Sequence, residues 1–211
     1  MKYKICAISD IHGHHWKLKI PKCDFLIVAG DMEINSLLSL QDFNDWLGTI
    51  KVGVARIVVG GNHDSELQAI GQAWCEHLFT NAVYLEDKEV TIDGLKFYGS
   101  PWSPEFNNWS FMYPRRSREG RDIWKRIPEN TDILITHTMP YKILDTNYNH
   151  KHCGCEILSR EIFRKNIKIQ IGGHLHEHGN QHMEVANIKF YNVSVLDEKY
   201  KLVNKPTTIY L

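Results

Sequence analysis

The segment "ARIVVGGNHD", residues 55–64, joins an apolar run to three polar side chains through two glycines. A continuous run of Ile and Val is typical of a strand that is buried on both faces of a sheet. In α/β folds, ligands bind beyond the carboxyl ends of such strands. The amide of Asn62, the imidazole of His63 and the carboxylate of Asp64 are therefore predicted to lie at a binding edge.

Four further segments have the same shape, an apolar run that stops at polar residues. They are "YKICAISDIHG" (3–13), "DFLIVAGD" (24–31), "DILITHT" (132–138) and "IKIQIGGHLH" (167–176). Helix-like segments separate the runs, at residues 36–50, 65–78, 117–127 and 155–166. This alternation of strands and helices favours a layered α/β fold.

Hairpins are predicted in two other parts of the chain. Residues 88–99 alternate around an Asp-Gly pair, and residues 182–194 do so around an Ala-Asn pair. Residues 207–211 are predicted to form one more strand. Parallel units and hairpins together predict a mixed sheet or two packed sheets. No repeat or linker divides the sequence, so we expect a single domain over residues 1–211.

The composition excludes several classes of protein. The chain has 211 residues, of which 43% are hydrophobic and 24% charged, as in ordinary globular domains. Its formal net charge is +0, so the whole chain lacks the excess positive charge that is typical of proteins that bind duplex DNA. Five cysteines without a paired framework favour a reducing compartment. No signal peptide or apolar run of membrane-spanning length is evident, so we expect a soluble, cytoplasmic protein without membrane contact.

Oxygen and imidazole side chains follow nearly every predicted core strand. They are Asp10, His12, Asp31, Asn62, His63, Asp64, His137, His174 and His176. Such donors suit Mn, Fe, Zn, Co or Ni as divalent ions. The set is too large for one tetrahedral ion. It suits two ions that share a bridging carboxylate, spaced roughly 3.5–4 Å apart.

The five blocks, taken in order, resemble the signature of the calcineurin-like metallophosphoesterase superfamily. They read "DIH" (10–12), "GD" (30–31), "GNHD" (61–64), "TH" (136–137) and "GHLH" (173–176). Within the superfamily the chain is similar to the small metallophosphodiesterases that include the fetal-brain metallophosphoesterase-domain proteins. The shared features are "SPWSPEF" (100–106), the pair Gly154-Cys155 and "GHLHE" (173–177). The resemblance covers essentially the full chain.

The resemblance implies a fold, a cofactor and a role for each residue. The fold is a four-layer α/β/β/α sandwich with two mixed β-sheets. The cofactor is a pair of divalent metal ions, with Mn²⁺ as the leading candidate. One ion is expected on Asp10, His12, Asp31 and His176, and the other on Asp31, Asn62, His137 and His174, with Asp31 as the bridge. His63 is expected to help the leaving oxygen depart, and Asp64 to orient the imidazole of His63 through a hydrogen bond.

The function that we expect is hydrolysis of a small phosphodiester, such as a cyclic nucleotide, at this dinuclear site. Three alternatives stay open: a phosphomonoesterase, including a protein phosphatase; an exonuclease; and a nucleotide-binding protein without turnover. The neutral net charge and the lack of an accessory domain argue against long nucleic acid as the substrate. The oligomeric state stays open.

Two segments invite a functional interpretation beside a structural one. The long aromatic loop 99–116 either packs on the core or lines the substrate cleft, where a base could stack. Its expected substrate contacts are Trp102, Phe106, Asn107 and Trp109. The segment "HKHCGC" (150–155) lacks the paired C-x-x-C of zinc sites. The resemblance instead implies that His152 or Cys155 lies near the cleft.

Overall fold

Two β-sheets form the centre of the protein in a computed structural model, which describes residues 3–211. The strands of the first sheet are β1 (Lys4–Ile8), β2 (Cys23–Ala29), β3 (Val52–Val59), β4 (Val83–Tyr84) and β13 (Thr207–Tyr210). Their spatial order is β13-β1-β2-β3-β4. β13 is antiparallel to β1 and the other pairs are parallel. The first two residues of the expected domain lie outside the described part of the chain.

The second sheet has six strands. They are β5 (Lys88–Ile92), β6 (Leu95–Ser100), β9 (Ile133–Thr136), β10 (Ile169–Gly172), β11 (Gln181–Val185) and β12 (Ile188–Asn192). Their order is β11-β12-β10-β9-β6-β5, with parallel pairs in the middle and an antiparallel hairpin at each edge. A small ribbon joins β7 (Ser103–Pro104) to β8 (Met112–Tyr113) within the aromatic loop. Both hairpins and the final strand predicted from the sequence are present.

The helices lie outside the two sheets. They are α1 (Leu37–Thr49), α2 (Ser65–Ile70), α3 (Gln72–Leu78), α4 (Arg118–Lys125) and α5 (Glu156–Lys165). Ser36 caps α1, since its side chain accepts the backbone N–H of Ser39. The single helix predicted over 65–78 is wrong. It breaks at Gly71, whose φ of +80° is open to glycine but costly for other residues.

The apolar strands are buried on both faces, which explains their continuous hydrophobic runs. One face of the first sheet packs Ile5 and Phe25 against Phe97 and Ile135 of the second sheet. The opposite face packs under α1, where Leu40, Phe43 and Trp46 lie in the same cluster as Ile8 and Leu26. On the far side, Trp124 and Leu158 from α4 and α5 cover Leu134 and Phe190 of the second sheet. The predicted four-layer sandwich with two mixed sheets is therefore confirmed.

The described residues contain no helix that is both long and apolar enough to cross a bilayer.

Substitution of Phe25 tests the core between the sheets. Its ring is fully buried, 5.3 Å from the ring of Phe97. We expect Phe25→Ala to lower the free energy of unfolding by about 3–5 kcal/mol, because the cavity left behind cannot fully collapse. Leu38 on α1, which is 79% exposed, supplies the control. Leu38→Ala should change the free energy of unfolding by no more than about 0.5 kcal/mol. Equal urea midpoints for the two variants would contradict this packing.

Candidate metal centre

The predicted ligands converge because the carboxyl ends of both sheets meet. The loop after β1 lies along the loop after β2, since Ile11 and His12 donate their N–H groups to the carbonyl of Asp31 at 2.8 and 3.1 Å. In the second sheet, Gly173 donates to the carbonyl of His137 at 3.0 Å. The two sheets meet where Ser9 donates to the carbonyl of Val193 at 3.0 Å.

Backbone strain accompanies the ligands. Asp10, His12, Asp31 and His174 adopt positive φ values of 53°, 40°, 56° and 71°. Side-chain-bearing residues rarely occupy this region, and such strain concentrates at functional sites. The strands end just before these residues, because the left-handed backbone turns the chain out of the sheet.

The first group of ligand atoms belongs to Asp10, His12 and His176. One atom from each lies within 4.8 Å of the other two. His176 Nε2 is 3.4 Å from Oδ1 of Asp10. Two imidazoles and a carboxylate at this spacing can hold one divalent ion.

The second group belongs to Asp31, His137 and His174, again within 4.8 Å. The Nε2 atom of His137 is the centre of this group. It lies 3.3 Å from Oδ2 of Asp31, 3.2 Å from Nδ1 of His174 and 3.0 Å from Oδ1 of Asn62. The amide oxygen of Asn62 thus joins the group as a fourth donor.

Asp31 lies between the two groups. Its Oδ2 atom is 3.3 Å from His137 Nε2 and 3.7 Å from His12 Nε2. Its Oδ1 atom accepts the backbone N–H of His63 at 2.9 Å. This is the placement that a bridging ligand requires. A Cβ atom on Gly61 would collide with the same Oδ1 atom, so glycine is needed there.

The donor set needs a metal ion or a proton between its members. The Nδ1 atom of His137 is 3.0 Å from the carbonyl oxygen of Ala29, which can only accept, so Nδ1 carries a proton. In the neutral ring, Nε2 then directs a lone pair at the oxygens of Asn62 and Asp31. The Nε2 atom of His12 is also buried without a hydrogen-bond partner in the described residues. Lone pairs that face each other repel unless a metal ion or a proton lies between them.

Partners behind the histidines fix which nitrogen faces the site. Nδ1 of His12 is 2.8 Å from Oε2 of Glu33, and Nδ1 of His176 is 2.9 Å from the carbonyl oxygen of Asp197. Such contacts hold the ring orientation of metal-binding histidines. Sequence reasoning missed both partners. Glu33 lies in the same "GDME" run as Asp31, whereas Asp197 acts through its backbone and leaves no signal in residue type.

The electrostatics of the site favour positive charge. Burial lowers the pKa of His137, but the Asp31 carboxylate outweighs it and raises the pKa to about 9. Burial also lowers the pKa of His176, but the hydrogen bond to Asp10 outweighs it and raises the pKa to about 9. Burial, together with the charge on His137, lowers the pKa of His174 to about 3. Protons on His137 and His176 therefore compete with metal ions.

Asp64 has a different role from the one expected. Its carboxylate accepts the backbone N–H groups of Asp31, Gly61 and Ile34 at 3.0, 2.8 and 3.0 Å. Both oxygens are used, and no bond joins them to His63 in the described chain. The side chain does not cap α2 either. The expectation that Asp64 orients His63 is corrected: the carboxylate ties together the two loops that carry Asp31 and Asn62.

Comparison with known proteins gives the family. A model described as Calcineurin-like phosphoesterase matches residues 3–178. The chain belongs to this family. It is 33% identical to Metallophosphoesterase domain-containing protein 1 of Homo sapiens over 231 residues, which cover 98% of this chain and 70% of that protein. It is 32% identical over 234 residues to UPF0046 protein T07D4.2 of Caenorhabditis elegans, covering 96% of this chain and 58% of the relative.

Solved structures share the fold of this phosphoesterase. Phosphopantetheinyl Hydrolase from Mycobacterium tuberculosis has a TM-score of 0.63 at 18% identity, with 98% of this chain and 95% of that chain covered. TT1561 of Thermus thermophilus also has a TM-score of 0.63, at 15% identity, covering 91% and 89%. The resemblance stated from the sequence blocks is confirmed by the family and its relatives. Family membership and the ligand groups support metal-dependent hydrolysis of a phosphoester.

A cavity of about 790 Å³ opens above the metal ligands of the phosphoesterase. Phe106, Asn107 and Trp109 are among the residues that line it, and their contact with a substrate stays a prediction. The ring of Trp109 is 4.3 Å from that of His63, and the ring of Phe106 is 5.2 Å from that of His174. His63 also lines the cavity, and burial lowers its pKa. The carboxylate beside it belongs to Glu33, with Oε2 3.9 Å from His63 Nδ1.

Trp102 is a correction, because it does not line this cavity. Its indole N–H donates to Oδ2 of Asp87 at 3.1 Å, and its ring packs edge-on against Phe111. It is partly buried against the apolar clusters under the helices. Trp102 therefore anchors the base of the aromatic loop, while the tip of the loop faces the cavity. The cavity instead gains Tyr200, whose ring is 4.8 Å from that of His12.

Asp64→Asn tests whether the carboxylate of Asp64 holds together the loops that carry Asp31 and Asn62. The amide NH₂ would face a backbone N–H in place of an oxygen. We expect the free energy of unfolding to fall by about 1–3 kcal/mol, measured by thermal melting with EDTA present. Asp122→Asn, at an exposed site on α4, is the control and should melt like the unchanged protein. A melting point for Asp64→Asn equal to that of the control would show that the three backbone bonds contribute nothing.

Metal loading should release protons. At pH 7.5 both His137 and His176, with pKa values of about 9, carry a proton in the metal-free protein. We expect binding of the metal pair to release about two protons and to weaken as the pH falls. Calorimetric titration with Mn²⁺ in two buffers of different ionisation enthalpy measures the number. Release of no protons would contradict the assignment of these rings as ligands.

Proposed function

We propose that the protein is a phosphodiesterase, which hydrolyses small phosphodiesters such as cyclic nucleotides with two divalent metal ions, Mn²⁺ in the first place. The observation that carries this proposal is the charge around the cavity. Arg115 and Arg116 are the arginines that line it, and both pair with Glu156 at 2.7 and 3.0 Å. A single carboxylate compensates only one of the two guanidinium charges, so the three side chains together leave one positive charge.

The charge balance favours a diester over a monoester. A phosphomonoester carries close to two negative charges at neutral pH, whereas a diester carries one. A site that binds the dianion commonly uses arginines that are not paired with carboxylates, because each guanidinium can donate two hydrogen bonds to the phosphate. The rest of the lining carries three glutamates against one lysine, Lys151, so it adds no net positive charge. The glutamates are Glu105, Glu177 and Glu198. A cavity of about 790 Å³ has room for organic groups on both ester oxygens.

The roles of the residues follow from chemistry. The bound ions would neutralise the phosphate oxygens and supply hydroxide at neutral pH. His63 faces the cavity, so it can donate a proton to the leaving oxygen. Trp109, packed on the ring of His63, limits the directions that the imidazole can take. Phe106 and Trp109 are exposed by 53% and 41%, which leaves ring surface free to stack on a base.

The proposal includes a cytoplasmic location. The five cysteines are free. Reduced thiols are typical of that compartment, because disulfides persist in oxidising ones.

Paired chromogenic substrates test the reaction. With Mn²⁺ supplied, we expect faster hydrolysis of bis-p-nitrophenyl phosphate than of p-nitrophenyl phosphate, and loss of both in Asp31→Ala. Asp42→Ala, at an exposed carboxylate next to Trp16, is the control and should retain full activity. Hydrolysis of the monoester alone would replace the proposal with a phosphatase. No turnover of either ester by a metal-loaded protein would replace it with a binding role.

The leaving group tests His63. Because p-nitrophenolate departs without a proton, His63→Asn should affect bis-p-nitrophenyl phosphate only slightly. An alkyl leaving group needs the proton, so kcat on a cyclic nucleotide should fall by about 10²–10⁴-fold. A folding defect in the variant would lower kcat on both substrates equally, so comparing the two decreases controls for folding. Equal losses on both substrates would assign His63 to binding or structure rather than to proton donation.

A further inference from the structure

The cavity lining includes a histidine that belongs to neither ligand group, His152. His152 lies on loop 141–155, and its Nδ1 atom is 2.6 Å from Oδ1 of Asp145. Asp145 is 1% exposed, and its Oδ2 atom accepts the N–H groups of Lys142 and Gly154 at 2.9 and 3.1 Å. A buried carboxylate with both oxygens bonded keeps the imidazole in one orientation.

The loop is fixed relative to the metal ligands. Glu177 and His178 directly follow the ligand His176. Glu177 accepts the backbone N–H of Tyr148 at 2.8 Å, and His178 Nε2 is 2.7 Å from the hydroxyl of Thr146. Each contact joins loop 141–155 to the turn that carries His176. The distance between His152 and the metal centre is therefore set by the fold.

A second brace comes from the aromatic loop. The guanidinium of Arg115 donates to the carbonyl oxygens of Cys153 and Gly154 at 2.5 and 3.0 Å. The same group pairs with Glu156 at 2.7 Å. Both loops that wall the cavity are thus linked to each other just after His152.

The wall around His152 has unused hydrogen-bond donors. The side chain of His152 is 39% exposed, and in the described residues its Nε2 atom has no partner. Lys151 lines the cavity beside it, and the described chain provides no carboxylate for its ammonium group. Glu156 pairs with the two arginines, and one oxygen of Glu177 accepts the backbone N–H of Tyr148. An imidazole N–H and an ammonium group can together donate hydrogen bonds to a phosphate, and the bond from the ammonium is charge-assisted.

We propose that His152, oriented by Asp145, and Lys151 form an anion subsite for a second phosphate of the substrate. The scissile phosphate binds at the metal ligands, a base stacks on the wall of Phe106 and Trp109, and the other phosphate binds at His152. The substrate class is therefore a nucleotide phosphodiester that also carries a phosphate monoester. This inference rests on the proposed function, because it takes the metal centre as the place of cleavage.

Two nitrophenyl esters that differ by one phosphate test the subsite. They are thymidine 5′-(p-nitrophenyl phosphate) and its 3′-phosphorylated form. We expect the unchanged protein to prefer the 3′-phosphorylated ester by about 10–100-fold in kcat/KM, the worth of one charge-assisted contact. The gain should lie in KM, with kcat within about threefold, because the subsite would bind a phosphate other than the one that is cleaved.

Variants assign the preference to the residue. His152→Asn should reduce it to about threefold or less, while the ester without the 3′-phosphate keeps its rate. Asp145→Asn should reduce it in part, as a positioning residue would. His150→Asn changes the same side chain in the same loop but outside the cavity, and it should retain the preference. Equal kcat/KM values for the two esters in the unchanged protein, or a full preference in His152→Asn, would overturn the proposal.

Equilibrium binding separates this inference from the proposed function. If neither ester is hydrolysed, the diesterase proposal fails but the subsite can still be measured. Calorimetry on the Mn²⁺-loaded protein should then give tighter binding of thymidine 3′,5′-bisphosphate than of thymidine 5′-monophosphate. His152→Asn should bind both equally. Equal affinities in the unchanged protein would overturn the subsite by itself.

Discussion

The structure depends on one buried carboxylate, that of Asp31. One of its oxygens faces imidazoles from both ligand groups, and the other accepts the N–H of His63. Its backbone adopts a left-handed conformation, and its own N–H is held by Asp64. Neighbouring Gly61 leaves the space that the carboxylate fills. A change in any of these features would move the carboxylate that lies between the two candidate ligand groups.

The sandwich serves to bring such groups together. Each sheet has a parallel centre, so strand ends with the same direction meet at one edge. Two sheets packed face to face bring two sets of ends together, with Asp10, Asp31 and Asn62 from one and His137 and His174 from the other. The hydrophobic burial of the strands offsets the cost of crowding carboxylates in a dry site. Ions that bind the folded chain more tightly than the unfolded one would then add to stability.

Much of the fold was predictable, because hydrophobic periodicity and the polar residues that follow each strand are local features of the sequence. Apolar runs that end at Asp, Asn or His located the strands to within a few residues, and the fold brings the predicted ligand side chains together. Gly71 was a possible signal for the break between α2 and α3. A glycine can also lie within a continuous helix, so the sequence alone does not decide between the two. The roles of Asp64 and Trp102 were missed because both depend on distant partners. Asp197 contributes a carbonyl oxygen, for which no sequence signal exists, and the pairing of His152 with Asp145 needs the folded loop.

Anomalous diffraction from crystals grown with Mn²⁺, recorded at the manganese edge, would locate the metal ions. We expect two peaks, roughly 3.5–4 Å apart, with the carboxylate of Asp31 between them. One peak should touch Asp10, His12 and His176, and the other Asn62, His137 and His174. A single peak, or a pair that does not share Asp31, would contradict the account.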